Sequence, residues 1–143
     1  MRRDWRISRW TTDGKRTMVQ QEVRKYELQA RSTETFGRVL CSARTHHFVV
    51  DGPLQNGCPG EAITPGELFL SGVAACGVEL VQVLARAQRV PLQAATVAMR
   101  AVLDPSKPVR LELSLFNAVR SHFYLKGVKP EQGAQLIEAF KRR

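Results

Sequence analysis

Apolar positions along this chain follow one period before residue 60, another from 64 to 87, and the first again afterwards. Val23, Tyr26, Leu28 and Ala30 predict a strand near 23–32. A turn over Thr33–Gly37 leads to further strands at 38–43 and 46–50. Asp51-Gly52-Pro53 and Asn56-Gly57-Cys58-Pro59-Gly60 then read as a long polar loop. At Thr64 the texture changes. Thr64 is an N-cap, Pro65 suits the first helical position, and Glu67 completes a Thr-x-x-Glu capping box. The apolar pattern runs to Ala87 and Val90-Pro91 ends it, a helix of roughly 37 Å at 1.5 Å per residue.

Ser71, Glu79, Gln82, Arg86 and Arg89 form the only polar stripe of that helix. A helix apolar over most of its circumference is buried on most sides. One chain of this size has few elements to cover it, so the pattern implies a partner subunit. Beyond Pro91, residues 93–103 alternate as a strand, Asp104–Pro108 turns, and strands follow at 109–117 and 118–126. A last helix begins near Val128–Glu131, with Leu136, Ile137 and Phe140 on one face. The predicted architecture is α+β: two three-stranded halves around a long buried central helix.

Composition narrows the picture. The 143 residues, 43% hydrophobic, predict a single domain over 23–143 preceded by a basic arm over 1–22. Trp5 and Trp10 lie in that arm, and Met18 offers an alternative start. Three scattered cysteines make no disulfide framework, and no signal peptide opens the chain. The longest uncharged stretch of the central helix, Leu68–Val78, has 11 residues, short of a membrane span. A cytoplasmic location without membrane attachment is therefore the expectation. Of the net charge of +9, residues 1–17 carry +4 and Lys141–Arg143 carry +3. Charge concentrated at solvated termini weighs against nucleic acid as a partner.

Cys76 is the candidate for chemistry. Its helical neighbours are Gly72, Val73, Glu79 and Leu80, and a cysteine in such company is often simple packing. Cys76 lies three turns inside the helix, beyond reach of the helix dipole, and an ionised Glu79 would disfavour a thiolate. A reactive Cys76 needs a cation from elsewhere. His46 and His47, adjacent on a strand, point to opposite faces and cannot easily share a metal ion with Cys41 and Cys58. No metal or other cofactor is implied. Gly57-Cys58-Pro59-Gly60 matches a KH-type Gly-x-x-Gly loop only by chance, since a KH loop joins two helices.

The segment Thr64-Pro65-x-Glu67-Leu68-x-Leu70-x-x-Val73-Ala74-Ala75-Cys76, after Asp51-Gly52-Pro53, Gly57 and Gly60, resembles the OsmC/Ohr family of osmotically induced and organic hydroperoxide resistance proteins. The resemblance covers about residues 23–143. It implies an intertwined α+β homodimer whose two central helices pack together. It also implies a thiol peroxidase acting on small hydrophobic peroxides, with Cys76 oxidised to a sulfenic acid, a second cysteine resolving it and a thiol reductant restoring it.

This chain departs from the family pattern in three places. Gly66 stands where active members carry Glu directly after the helix proline. No Arg lies between Arg44 and Arg86, which leaves Arg38, Arg44, His46 and His47 as the local cations. The family's second Cys follows the last helix, where this chain stops at Arg143: either the chain is cut short before it or this member uses none. Cys58, in a loop near the helix start, is a better substitute than Cys41, which sits mid-strand. A second reading stays open: a catalytically degenerate OsmC-like dimer that holds a small hydrophobic ligand.

Overall fold

A computed structural model describes residues 23–112 and 115–142; the predicted arm over 1–22, with Trp5, Trp10 and Met18, lies outside the described residues. Strands β1 (Gln29–Ser32), β2 (Arg38–Ala43) and β3 (His46–Asp51) form an antiparallel meander. The β2–β3 hairpin closes through two residues, Arg44 and Thr45, because Ala43 pairs with His46. Such a tight turn needs positive φ, and Arg44 adopts φ 54°. The strand expected over 23–32 starts only at Gln29. Gln29 pairs with Ser42, so only Ala43 remains of β2 before the turn and residues 23–27 have no strand left to pair with.

Helix α1 spans Pro65–Ala87, as the capping residues predict. The Glu67 amide donates to Thr64 Oγ1 at 3.5 Å, and the Thr64 amide donates to Glu67 Oε2 at 2.8 Å. These bonds from Thr64 hold the Glu67 carboxyl below its ordinary value. At the other end the Val90 amide donates back to the Ala85 carbonyl, with Arg89 at φ 55° in the position usually taken by glycine. Pro91 follows and forbids continuation.

Strands β4 (Ala94–Val102) and β5 (Ala118–Lys126) form a separate two-stranded sheet, and α2 spans Pro130–Lys141. The third strand expected over 109–117 does not form in its described part. Instead Asn117 clamps a long connection: its amide donates to the Val102 carbonyl at 2.7 Å, its side chain accepts from the Asp104 amide and donates to the Lys107 carbonyl, both at 2.6 Å. Pro105 and Pro108 reinforce the irregular path. Among the described residues the second half is therefore a hairpin rather than a three-stranded unit.

The core lies where α1, β4, β5 and α2 meet. Leu84, Ala85 and Leu136 are buried together, with Leu80, Leu92, Leu125 and Phe140 against them. Full burial of a side chain such as Leu136 is worth about 1.5–3 kcal/mol. Gly77 permits close approach: a Cβ there would come within 3.2 Å of Phe123, whose ring packs edge-on against Phe140. This core covers one side of α1 only. Phe69, Val73 and Val83 remain exposed, Phe69 at 62%. The expectation of a helix buried on most sides therefore fails within one chain, because the first sheet does not fold back over it; α1 packs on β4 and α2. By length and composition alone Pro65–Ala87 is long and apolar enough to cross a membrane, longer than its uncharged run suggested. Its packing on β4 and α2 is that of a core helix.

Candidate functional site

The first sheet builds a cluster of one cation and two carboxylates. Counting outward from the Arg44-Thr45 turn makes Arg38 and Asp51 direct partners. Arg38 Nε donates to Asp51 Oδ1 and Nη2 to Oδ2, both at 2.8 Å, while Nη2 also reaches Glu61 Oε2 at 2.6 Å. Asp51 is completely buried. Its Oδ2 accepts two further bonds, from the amides of Glu61 and Ala62 at 3.0 Å each. These contacts tie the segment before Thr64 to the end of β3. Among the described residues, Arg38 Nη1 has no hydrogen-bond partner and its hydrogens remain available.

Electrostatics follow from this geometry. The Arg38 hydrogen bonds, aided by the two amides, hold the Asp51 carboxyl well below its ordinary value despite desolvation. Asp51 and Glu61 in turn raise the Arg38 guanidinium, which stays charged throughout. A carboxylate lowered on folding contributes stability above its unfolded value and loses it as pH falls through the folded one. The Asp51 contribution is therefore complete at neutral pH and erodes only in acid, below the ordinary value of 3.8.

Cys58 belongs to this cluster. After the short helical turn Leu54–Asn56, Gly57 at φ 74° sends the chain back so that the Cys58 sulfur rests over Gly37 and Gly52. The Gly52 amide donates to the Gly37 carbonyl at 2.8 Å, and a Cβ on either glycine would overlap that sulfur. Gly37 and Gly52 adjoin Arg38 and Asp51 in sequence, so the thiol packs at the ends of the two strands that carry the ion pair. Gly52→Ala is expected to destabilise the fold by about 1–3 kcal/mol through overpacking. That penalty should shrink when Cys58→Ala is also present. Equal penalties in both backgrounds, read by urea denaturation, would contradict the packing.

The other candidates lie apart. Cys76 is exposed rather than buried, because the side of α1 that carries it is left uncovered by this chain. It lies twelve residues from Thr64, about 18 Å along the helix, and among the described residues no hydrogen bond joins it to Arg38. Cys41 is buried on β2 opposite Phe48, on the sheet face away from Arg38. His47 Nδ1 lies 2.9 Å from Ser42 Oγ, and His46 is exposed. No three His, Cys, Asp or Glu side chains among the described residues gather as a metal site. A groove of about 540 Å³ between β5 and α2, lined by Phe123, Leu125, Pro130 and Ile137, does not include Cys76. Sequence reasoning missed Asp51 and Glu61. The hairpin turn could have revealed Asp51; nothing local marks Glu61.

Comparison with known proteins points one way. A family model described as OsmC-like protein matches residues 58–143. The fold is similar to an OsmC-like protein from Mycoplasma pneumoniae, 16% identical, with a TM-score of 0.71 over 84% of this chain and 82% of that one. It is also similar to an organic hydroperoxide resistance protein OsmC from Legionella pneumophila, 20% identical, with a TM-score of 0.66 over 84% of both chains. An organic hydroperoxide resistance protein from Elizabethkingia anophelis, 17% identical, gives 0.68 over 86% and 85%. No curated protein sequence matches.

Proposed function

Because this chain belongs to the OsmC-like protein family, we propose that it is a homodimeric thiol peroxidase that reduces organic hydroperoxides, with Cys76 as the peroxidatic residue. The observation that carries this reading is the position of Cys76. It sits mid-helix on an α1 side that is apolar and uncovered, while a cation with spare hydrogen-bonding capacity lies on the first sheet, which is not among the main packing partners of that helix. A second copy laid along α1 covers Phe69, Val73 and Val83 and can bring its own Arg38 to Cys76.

The chemistry then runs in balanced steps. The Cys76 thiolate attacks one oxygen of ROOH, the O–O bond breaks, and the alkoxide leaves as ROH after taking a proton. Sulfur is oxidised to the sulfenic acid and the peroxide is reduced. A thiol attacks that sulfur, water leaves, and a mixed disulfide forms; a second thiol releases the enzyme thiol and a disulfide. Arg38 of the partner subunit holds the thiolate and the developing alkoxide through its Nη1 hydrogens. Glu61 supplies the carboxylate that Gly66 cannot. Cys58, packed against Gly37 and Gly52 at the ends of the strands that carry Arg38 and Asp51, is the candidate resolving thiol. Apolar walls suit an alkyl peroxide, and Cys76 chemistry of this kind fits a cytoplasmic protein kept in reducing surroundings.

Two measurements test the arrangement. Sedimentation equilibrium is expected to give twice the 16.1 kDa chain mass, and Val83→Glu is expected to shift it toward the single chain. For the shared site, Arg38→Met and Cys76→Ser proteins are each expected to be inactive. Co-expressed, they should regain about a quarter of the wild-type rate, because half of randomly mixed dimers carry one intact site. No recovery in verified hybrids would show that Arg38 does not act across the interface.

A further inference from the structure

The outer face of the β4–β5 hairpin has no part in the chemistry above. Its inner face is occupied: Phe123 and Leu125 point to α1 and α2. Alternation then turns Arg120, His122, Tyr124 and Lys126 outward on β5, with Thr96, Ala98 and Arg100 outward on β4. Arg100 and Arg120 are direct cross-strand partners. Like charges placed so are destabilising, and neither strand contains a single Asp or Glu. Neither guanidinium has an ion pair among the described residues.

Beside that pair, His122 and Tyr124 pack with ring centroids 4.6 Å apart and planes tilted by 42°, and Tyr124 is 59% exposed. The residues across from them, Ala98 and Thr96, are too small to cover the rings. Lys126 closes the far end. Same-face residues on a strand repeat every ~6.8 Å, so the track from Arg120 to Lys126 is roughly 20 Å long. It consists of cations at both ends and uncovered π-faces between them.

We propose that this face binds single-stranded nucleic acid, phosphates resting on Arg100, Arg120 and Lys126 and a base stacking on Tyr124. Unpaired cations suit any polyanion, but flat exposed rings between them suit bases, whose faces stack on aromatic side chains irrespective of sequence. The net charge of +9 had pointed to the termini; the fold concentrates a second set of cations on one sheet face.

The test is fluorescence anisotropy of the full chain with a fluorescein-labelled 20-residue oligothymidylate across a salt series. Wild type is expected to bind with salt-dependent affinity. Arg100→Gln with Arg120→Gln should lower the salt slope by about 1.4, since each single-strand phosphate contact contributes about 0.7. Tyr124→Ala should weaken binding by roughly 5- to 100-fold without changing the slope, the loss expected of one stacked base. All these side chains are exposed, and circular dichroism confirms that each variant is folded; Lys126→Gln gives an independent charge deletion. Unchanged binding in the variants would assign any affinity to the charged termini and overturn the proposal. So would equal binding of a duplex, or binding confined to phosphatidylserine vesicles.

Discussion

Replacing Cys76 with serine is expected to bring thiol-dependent consumption of an alkyl hydroperoxide down to the uncatalysed background, a loss of about 1000-fold or more. The magnitude follows from the role. A serine hydroxyl is neither ionised at neutral pH nor oxidised by peroxide, so no sulfenic acid forms and no turnover begins. Cys76 is exposed in the single chain and contributes nothing to the buried core. The variant should therefore keep its fold, and circular dichroism separates lost chemistry from lost structure. Cys41→Ser should leave the rate unchanged, since that thiol lies on the sheet face opposite Arg38. A Cys76→Ser protein that consumes peroxide like wild type would move the reactive centre elsewhere.

Asp51→Ala is expected to lower Tm by roughly 10 °C and to reduce peroxidase activity with it. Asp51 is completely buried and accepts four hydrogen bonds, from two Arg38 nitrogens and from the Glu61 and Ala62 amides. Its removal orphans both amides and leaves Arg38 to the exposed Glu61 alone. The loop that carries Glu61 and leads into α1 is then untied. The sign of the pH effect is also defined: Asp51 is lowered on folding, so its contribution is full at pH 7 and fades as pH drops below its ordinary range. The Tm gap between wild type and Asp51→Ala should therefore narrow on acidification. A gap that widens in acid would contradict the ion pair.

Local rules carried much of the fold. Thr64, Pro65, Glu67 and Val90-Pro91 bound α1 through nearest-neighbour hydrogen bonds and proline geometry, so their positions could be read directly. Strands whose partners lie across a short turn were equally legible, as the β2–β3 hairpin shows. The described part of 109–117 departed from the expected strand for the opposite reason. Val109, Leu111, Leu113 and Leu115 alternate like a strand, but a strand needs a partner, and Asn117 joins Val102 directly instead. Cys76 lies within α1 as the helix pattern predicts, but it is exposed where a buried helix was expected. Apolar residues around α1 predicted burial on most sides, whereas the single chain leaves that side open. The Arg38–Asp51–Glu61 cluster was hidden because its members come from two strands and a loop, and only the fold brings them together.

In the proposed reaction the Cys76 sulfur is the atom that meets the peroxide. Reduced protein treated with one equivalent of an alkyl hydroperoxide, without added thiol, should form a sulfenic acid that a cyclic 1,3-diketone probe traps. Peptide mass spectrometry is predicted to find the adduct on Cys76, in step with peroxide loss. A free, unlabelled Cys76 after such treatment, with the peroxide intact or the adduct confined to Cys41 or Cys58, would contradict it.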